Sequence, residues 1–328
     1  MAHYLGLDLG GTNVKAGVID ATGKLLAKVS EPTNGAAGSE RVIETMLQAG
    51  KQACEQANLT INDIAGIGIG SPGPINFEQG VIVNAPNLPG FENLPLRQRI
   101  ADATGRPCVL ENDANAAAFG EYWAGAGRDK SIRHLLMMTL GTGVGTGMIH
   151  DGRLIHGGHD SGAEGGHIIV EPNGRLCGCG QRGCIEAYAS ASHTANRARE
   201  ELANSDEPSA LRSIYEANPD NITAKAIFEA AEAGDAMALR IIDKTADMLG
   251  IACVNFCRVL DPQMIVFAGG MALAGEFLLT RVRVAFEKHR WNIAPDNVQL
   301  VVAGLGNDAG VIGAAAVAAD ADQSGQLG

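Results

Sequence analysis

The chain has 328 residues, 46% hydrophobic and 19% charged, which excludes a disordered polymer and leaves apolar surface for more than one core. Its 25 basic and 37 acidic side chains give a net charge of −12, a poor match for nucleic acid or an anionic membrane surface. Residues 135–149 form the longest uncharged apolar stretch, but four glycines and three threonines interrupt it, so no segment reads as transmembrane. The opening MAHYLGLDLG lacks a basic start and a cleavage site, and a cytoplasmic location is expected. Seven cysteines in a reducing compartment argue against a disulfide framework.

In chain order, HYLGLDL at 3–9 alternates in hydrophobicity and ends in Gly10-Gly11-Thr12-Asn13. VKAGVID resumes at 14–20, and Thr22-Gly23 turns into KLLAKVS, which together predict a β-meander. Residues 39–57 carry helical spacing, with Val42, Ile43, Met46, Leu47 and Ala53 on one side. IAGIGIG at 64–70 reads as a buried strand leading into a Ser-Pro-Gly-Pro loop. CVLEND at 108–113 reads as another, followed by an Ala-rich helix over 114–124. LLMMTL at 135–140, Gly141-Thr142-Gly143 and VGTGMIH repeat the strand–glycine–strand unit of the N-terminus, which suggests a duplicated architecture. Residues 151–186 read as irregular and 187–260 as mostly helical. Strands at 264–270 and 298–304 alternate with helices at 275–289 and 309–319, and 319–328 reads as a frayed tail. Strands alternating with helices predict an α/β fold.

Three glycine turns at strand ends, at Gly10-Gly11-Thr12, Gly141-Thr142-Gly143 and Gly269-Gly270, suit a bound nucleotide, because glycine lets backbone N–H groups approach an anion closely. Asp8 stands where it could hold Mg²⁺ or its waters, and Lys15 follows within reach. An ordinary Gly-rich hairpin has the same pattern. Neither a Walker A motif nor a GxGxxG-bearing βαβ unit occurs. Cys177, Cys179 and Cys184 in CGCGQRGC, with His167 ten residues upstream, provide three thiolates and an imidazole for a closed, structural zinc site. Cys54, Cys108, Cys253 and Cys257 lie in apolar patterns and read as core. Glu111-Asn112-Asp113 ends a strand and starts a helix. A carboxylate there could take a proton from a hydroxyl, or Asn112 or Asp113 could simply cap the helix. Glu164 and Glu186 flank the zinc cluster and could grip sugar hydroxyls, the alternative being solvated surface charge. His150, His156, His159, His193 and His289 show no partner pattern and receive no role.

These motifs extend along nearly the whole chain: DLGGTNVKAG at 8–17, GSPGPIN at 70–76, APNLPG at 85–90, ENDANAAAFGE at 111–121, LGTGVGTG at 140–147, GAEGGH at 162–167 and CGCGQRGCIEAYAS at 177–190. Their order resembles the ROK family (repressors, open reading frames and sugar kinases), and within it the bacterial glucokinases. The resemblance implies an actin-like ATPase (ribonuclease H-like) fold with two α/β domains flanking a cleft. The smaller would span residues 1–120, completed by a C-terminal helix at about 305–328, and the larger 121–304. It implies Asp113 as the base that deprotonates a sugar 6-hydroxyl attacking ATP. Gly73, Asn87, Asn112, Glu164, His167 and Glu186 would meet the sugar. Asp8, Gly10, Gly11, Thr12, Lys15, Thr142, Gly143 and Gly270 would serve ATP and Mg²⁺, while His167, Cys177, Cys179 and Cys184 would hold Zn²⁺. A homo-oligomer, dimer or tetramer, goes with the family.

Two positions depart from the family pattern: Ser71, where many members have Gly, and Gly165, where Ile or Met is common. They leave open whether glucose or another hexose (N-acetylglucosamine, N-acetylmannosamine, mannose or fructose) is preferred. A sugar-sensing regulator is disfavoured, because the first strand begins near residue 3, with no helix-turn-helix before it, and the net charge is negative. A purely structural zinc protein would leave Asp8, Asn112 and Asp113 without a role.

Overall fold

The computed structural model describes residues 2–85, 87–292 and 297–327. Pro86, in the APNLPG motif, lies outside the described residues. In chain order the elements are β1 (His3–Leu9), β2 (Asn13–Asp20), β3 (Leu25–Pro32), α1 (Ser39–Gln56), β4 (Ile64–Ser71), β5 (Ile75–Asn76), β6 (Val81–Asn84) and β7 (Glu92–Leu94). They continue with α2 (Leu96–Thr104), β8 (Cys108–Asn112), α3 (Asp113–Trp123), β9 (Leu135–Leu140), β10 (Val144–His150) and β11 (Arg153–Leu154). After these come α4 (Glu186–Ala189), α5 (Ala191–Asn204), α6 (Arg212–Ala217), α7 (Ala224–Glu232), α8 (Ala236–Val259), β12 (Met264–Ala268), α9 (Glu276–His289), β13 (Gln299–Val302) and α10 (Ala309–Gln323). No described helix is long and apolar enough to cross a membrane.

The chain divides into two compact units. The first comprises Met1–Ile132, Gly147–Ala163 and Gly304–Gly328, the second Arg133–Thr146 and Glu164–Ala303. One five-stranded sheet has the order β3-β2-β1-β4-β8, and the other has the order β11-β10-β9-β12-β13. Each contains a meander edge followed by parallel strands. β1 pairs antiparallel with β2 and parallel with β4, while β12 pairs parallel with both β9 and β13. The repeated order gives the recurring strand–glycine–strand motif its structural meaning. A separate three-stranded sheet, β5-β6-β7, was not legible because its strands are only two to four residues long, and the nine-residue helix α2, which buries only Leu96 and Ile100, was missed with it.

In the first unit, the alternation of β1 and β4 sets the layers. Leu5, Leu7, Leu9, Ile67 and Ile69 join Val42, Ile43 and Met46 of α1 in one buried cluster. The other face of β4 carries glycine. A Cβ on Gly68 would lie 1.7 Å from the Ala314 carbonyl oxygen, so only glycine lets α10 lie directly on the sheet. α10 packs as closely on α3: a Cβ on Gly313 would lie 1.7 Å from the Ala116 carbonyl oxygen. This explains the run of small residues at 309–319.

The tail is not frayed as expected. α10 continues to Gln323, and the N–H groups of Gln326 and Leu327 both donate to the Ala321 carbonyl, at 2.8 and 3.0 Å. The Leu327 side chain covers Gly66, and the Tyr4 hydroxyl donates to Asp322 at 2.7 Å. One apolar side chain and one buried tyrosine give this polar segment something to dock on.

Candidate active site

The end of β8 in the first unit presents Asn112 and Asp113. Asn112 is the N-cap of α3, its side-chain oxygen accepting from the N–H groups of Ala114 at 3.0 Å and Asn115 at 3.2 Å. Asp113 is the first helical residue, and its Oδ1 accepts from Ala114 at 2.9 Å. Asn112 is thus the N-cap, and Asp113 shares only the Ala114 N–H with it. Gly73 has a φ of 89° and packs against Asn84 and Ala85, directly before the exposed turn that carries Asn87.

The hairpin between β1 and β2 closes through a 3.0 Å bond from the Gly10 N–H to the Asn13 carbonyl. Thr33 fastens it from behind, its hydroxyl donating to the Gly10 carbonyl at 2.6 Å and its N–H to the Thr12 carbonyl at 2.9 Å. Gly11 and Thr12 stay exposed. Asp8 and Lys15 are cross-strand partners, with Lys15 Nζ 3.7 Å from Asp8 Oδ2 and donating to the Asn307 carbonyl at 3.0 Å. Burial raises the Asp8 pKa above its ordinary value, and Lys15 only partly opposes this.

In the second unit, Glu186 opens α4 and reaches two groups. Its Oε2 accepts the Val144 N–H at 3.0 Å, and its Oε1 accepts from the Cys177 thiol at 3.3 Å. Gly143 lies so close to this carboxylate that a Cβ there would fall 2.5 Å from Oε2. Glu164 precedes a 3₁₀ turn, Gly165–His167, and its side chain is exposed. The next residue explains the departure at Gly165: a Cβ there would lie 2.6 Å from the Phe256 ring, so a phenylalanine from α8 fills that space.

The ligand atoms of His167, Cys177, Cys179 and Cys184 all lie within 4.8 Å of one another. Cys179 and Cys184 Sγ are 3.7 Å apart, and Cys177 Sγ is 3.7 Å from His167 Nδ1. A tetrahedral zinc with Zn–S near 2.3 Å requires sulfur–sulfur separations of about 3.8 Å, so the donor set and its spacing fit that ion. Burial raises the Cys177 and Cys184 thiols, whereas the Gln181 N–H lowers that of Cys179.

A cavity of about 580 Å³ in the same unit is lined by Thr142, Ala191, Lys225, Phe228, Gly270 and Met271 among others. The structure thus brings Thr142 and Gly270 to one largely apolar pocket, although they are far apart in sequence. Sequence reasoning missed His156, whose Nε2 lies 2.8 Å from Glu111 Oε2. The partners are 45 positions apart, and the only local signal was a buried carboxylate following three apolar strand residues.

Residues 4–321 match the ROK family. The chain is 39% identical over 320 residues to a glucokinase from Thermotoga maritima, covering 95% of this chain and 96% of that one. It is 38% identical over 311 residues to a glucokinase from Halalkalibacterium halodurans, covering 94% and 93%. Among solved structures, it is similar to a ROK family glucokinase from Streptomyces griseus in complex with glucose and AMPPNP, with 33% identity, a TM-score of 0.79, and 97% and 100% of the two chains covered. Two sheets with one shared strand order, together with a match along almost the full length, place the chain in the ROK family with its actin-like ATPase fold.

Proposed function

We propose that this protein is a glucokinase, transferring the γ-phosphoryl group of ATP to the 6-hydroxyl of glucose to give glucose 6-phosphate and ADP. The observation that carries the reading is the β8–α3 junction, where Asn112 caps the helix and the Asp113 carboxylate stands at its first turn. Asp113 takes the proton as the sugar oxygen bonds to phosphorus and the bond to ADP breaks. Gly73, Asn87, Asn112, Glu164, His167 and Glu186 are the proposed sugar ligands.

Gly10, Gly11, Thr12 and Lys15 meet the phosphates, and Thr142, Gly143 and Gly270 the nucleotide. The largely apolar cavity beside Thr142 and Gly270 is suited to a purine ring. Asp8 is the residue we assign to Mg²⁺, which when bound neutralises charge on the transferring phosphate. His167, Cys177, Cys179 and Cys184 hold a structural Zn²⁺ that fixes the loop bearing His167 and Glu186. His167 uses Nδ1 for this, which leaves Nε2 for a sugar hydroxyl. The reading includes a homo-oligomer, as the family resemblance implies, and a cytoplasmic location, as the N-terminal sequence suggests.

Steady-state phosphorylation with Mg-ATP across glucose, mannose, fructose, N-acetylglucosamine and N-acetylmannosamine tests it. Glucose should lead by about tenfold or more in kcat/KM. An acetylated sugar in first place would contradict the substrate, and no turnover with any sugar would contradict the activity.

A further inference from the structure

Glu111 is a buried carboxylate, 2% exposed, at the penultimate position of β8, two residues before the proposed base. Its Oε1 accepts from the Asn112 N–H at 2.8 Å and from Asn115 Nδ2 at 3.0 Å. Its Oε2 faces His156 Nε2 at 2.8 Å. A buried carboxylate is costly unless its lone pairs are met, and here three donors meet them. Two of those donors belong to the β8–α3 junction itself. The third comes from the segment after β11.

His156 is held independently of Glu111. Its ring lies against Phe77, with centroids 4.0 Å apart and a 37° tilt, and Phe77 in turn donates its N–H to Asp160 at 3.3 Å. Burial disfavours the charged imidazole, but the hydrogen bond and charge of Glu111, aided by Asp160, outweigh it. Glu111, Phe77 and His156 also line a cavity of about 440 Å³ in the first unit, together with Asp151, Arg153 and Asp320.

We propose that His156 is a positioning residue for phosphoryl transfer, fixing the Glu111 carboxylate and through it the backbone that sets Asn112 and Asp113. This rests on Asp113 being the base. Without its third donor the Oε2 of Glu111 is left buried and unpaired, and the carboxylate, then held only through Oε1 by the Asn112 N–H and Asn115 Nδ2, shifts to find a partner and strains the Asn112 backbone it accepts from. Catalysis by alignment is sensitive to such shifts, since displacements near 1 Å cost on the order of a hundredfold.

The test compares kcat, glucose KM and Tm for wild type, His156→Ala, His156→Gln, Glu111→Gln and Asp113→Asn. His156→Ala should lower kcat by about 10–100-fold with glucose KM within about threefold, while His156→Gln, which keeps a donor, should recover most of it. Glu111→Gln preserves shape and should lower kcat about tenfold, which keeps the proposal testable if His156→Ala does not fold. A purely structural pair would lower Tm and leave the kcat of the folded enzyme unchanged. Folded His156→Ala or Glu111→Gln with kcat within about twofold of wild type would overturn the proposal. Near-normal kcat in Asp113→Asn would instead overturn the base assignment, and this proposal with it.

Discussion

Gly143 and Glu186 share one narrow space: the glycine's missing Cβ would lie 2.5 Å from Glu186 Oε2, the same oxygen that accepts the Val144 N–H. Any larger residue at 143 must push the carboxylate away from the loop. Gly143→Ala should therefore lower kcat/KM for glucose by about 10–100-fold, because it moves a proposed sugar ligand as well as a nucleotide loop. Unchanged kcat/KM would mean that the Glu186 carboxylate plays no part in sugar binding as it stands.

The metal assignment is open to direct measurement. Purified protein should carry one zinc per chain by elemental analysis, and Cys179→Ser should lose it. Because such metal binding contributes to folding, the variant should melt about 5–10 °C lower. Metal-free protein with wild-type Tm and activity would remove zinc from the account.

Asp8 links pH to stability. Its folded pKa lies above the ordinary value of 3.8, chiefly because burial disfavours the ion. The native state therefore binds this proton more tightly than the unfolded chain. The resulting stabilisation is present at low pH and is lost as pH rises through the raised folded value. At neutral pH the buried ion is a cost, so Asp8→Asn should raise Tm at pH 7 and have little effect near pH 4. The same variant should lose about a hundredfold or more in kcat, as expected for a residue kept for function at the expense of stability. A lower Tm at pH 7 would refute this reading.

Glu121 shows a carboxylate used for structure alone. It is fully buried on α3, and it accepts the N–H groups of Ala126 and Gly304 at 2.9 Å and of Leu305 at 2.7 Å, so it ties the chain entering α10 to α3. Glu121→Ala removes a buried carboxylate from three part-buried N–H groups and should cost about 3–5 kcal/mol in urea unfolding. A loss under 1 kcal/mol, roughly the net worth of a single hydrogen bond, would mean water replaces the carboxylate.

Much of this organisation was legible in the sequence because it is local. The glycine hairpins, the buried strands at β4, β8 and β12, and the Cys177–Cys184 cluster all announce themselves within ten residues. Relations over long separations were not. His156 meets Glu111 across 45 positions, and Phe256 fills the space at Gly165 from a helix 91 positions on. The docked tail was misread for the same reason, since its partners Tyr4 and Gly66 come from β1 and β4. Composition marked 319–328 as polar, but one leucine on a glycine face is enough to hold it.

The central claim is that Asp113 is the base. Its most direct test is glucose phosphorylation by Asp113→Asn beside wild type, with glucose binding measured calorimetrically on the same samples. We predict a fall in kcat of about 10²–10⁴ with glucose affinity retained within about threefold. A variant that binds glucose and turns over at near-wild-type kcat would contradict the account.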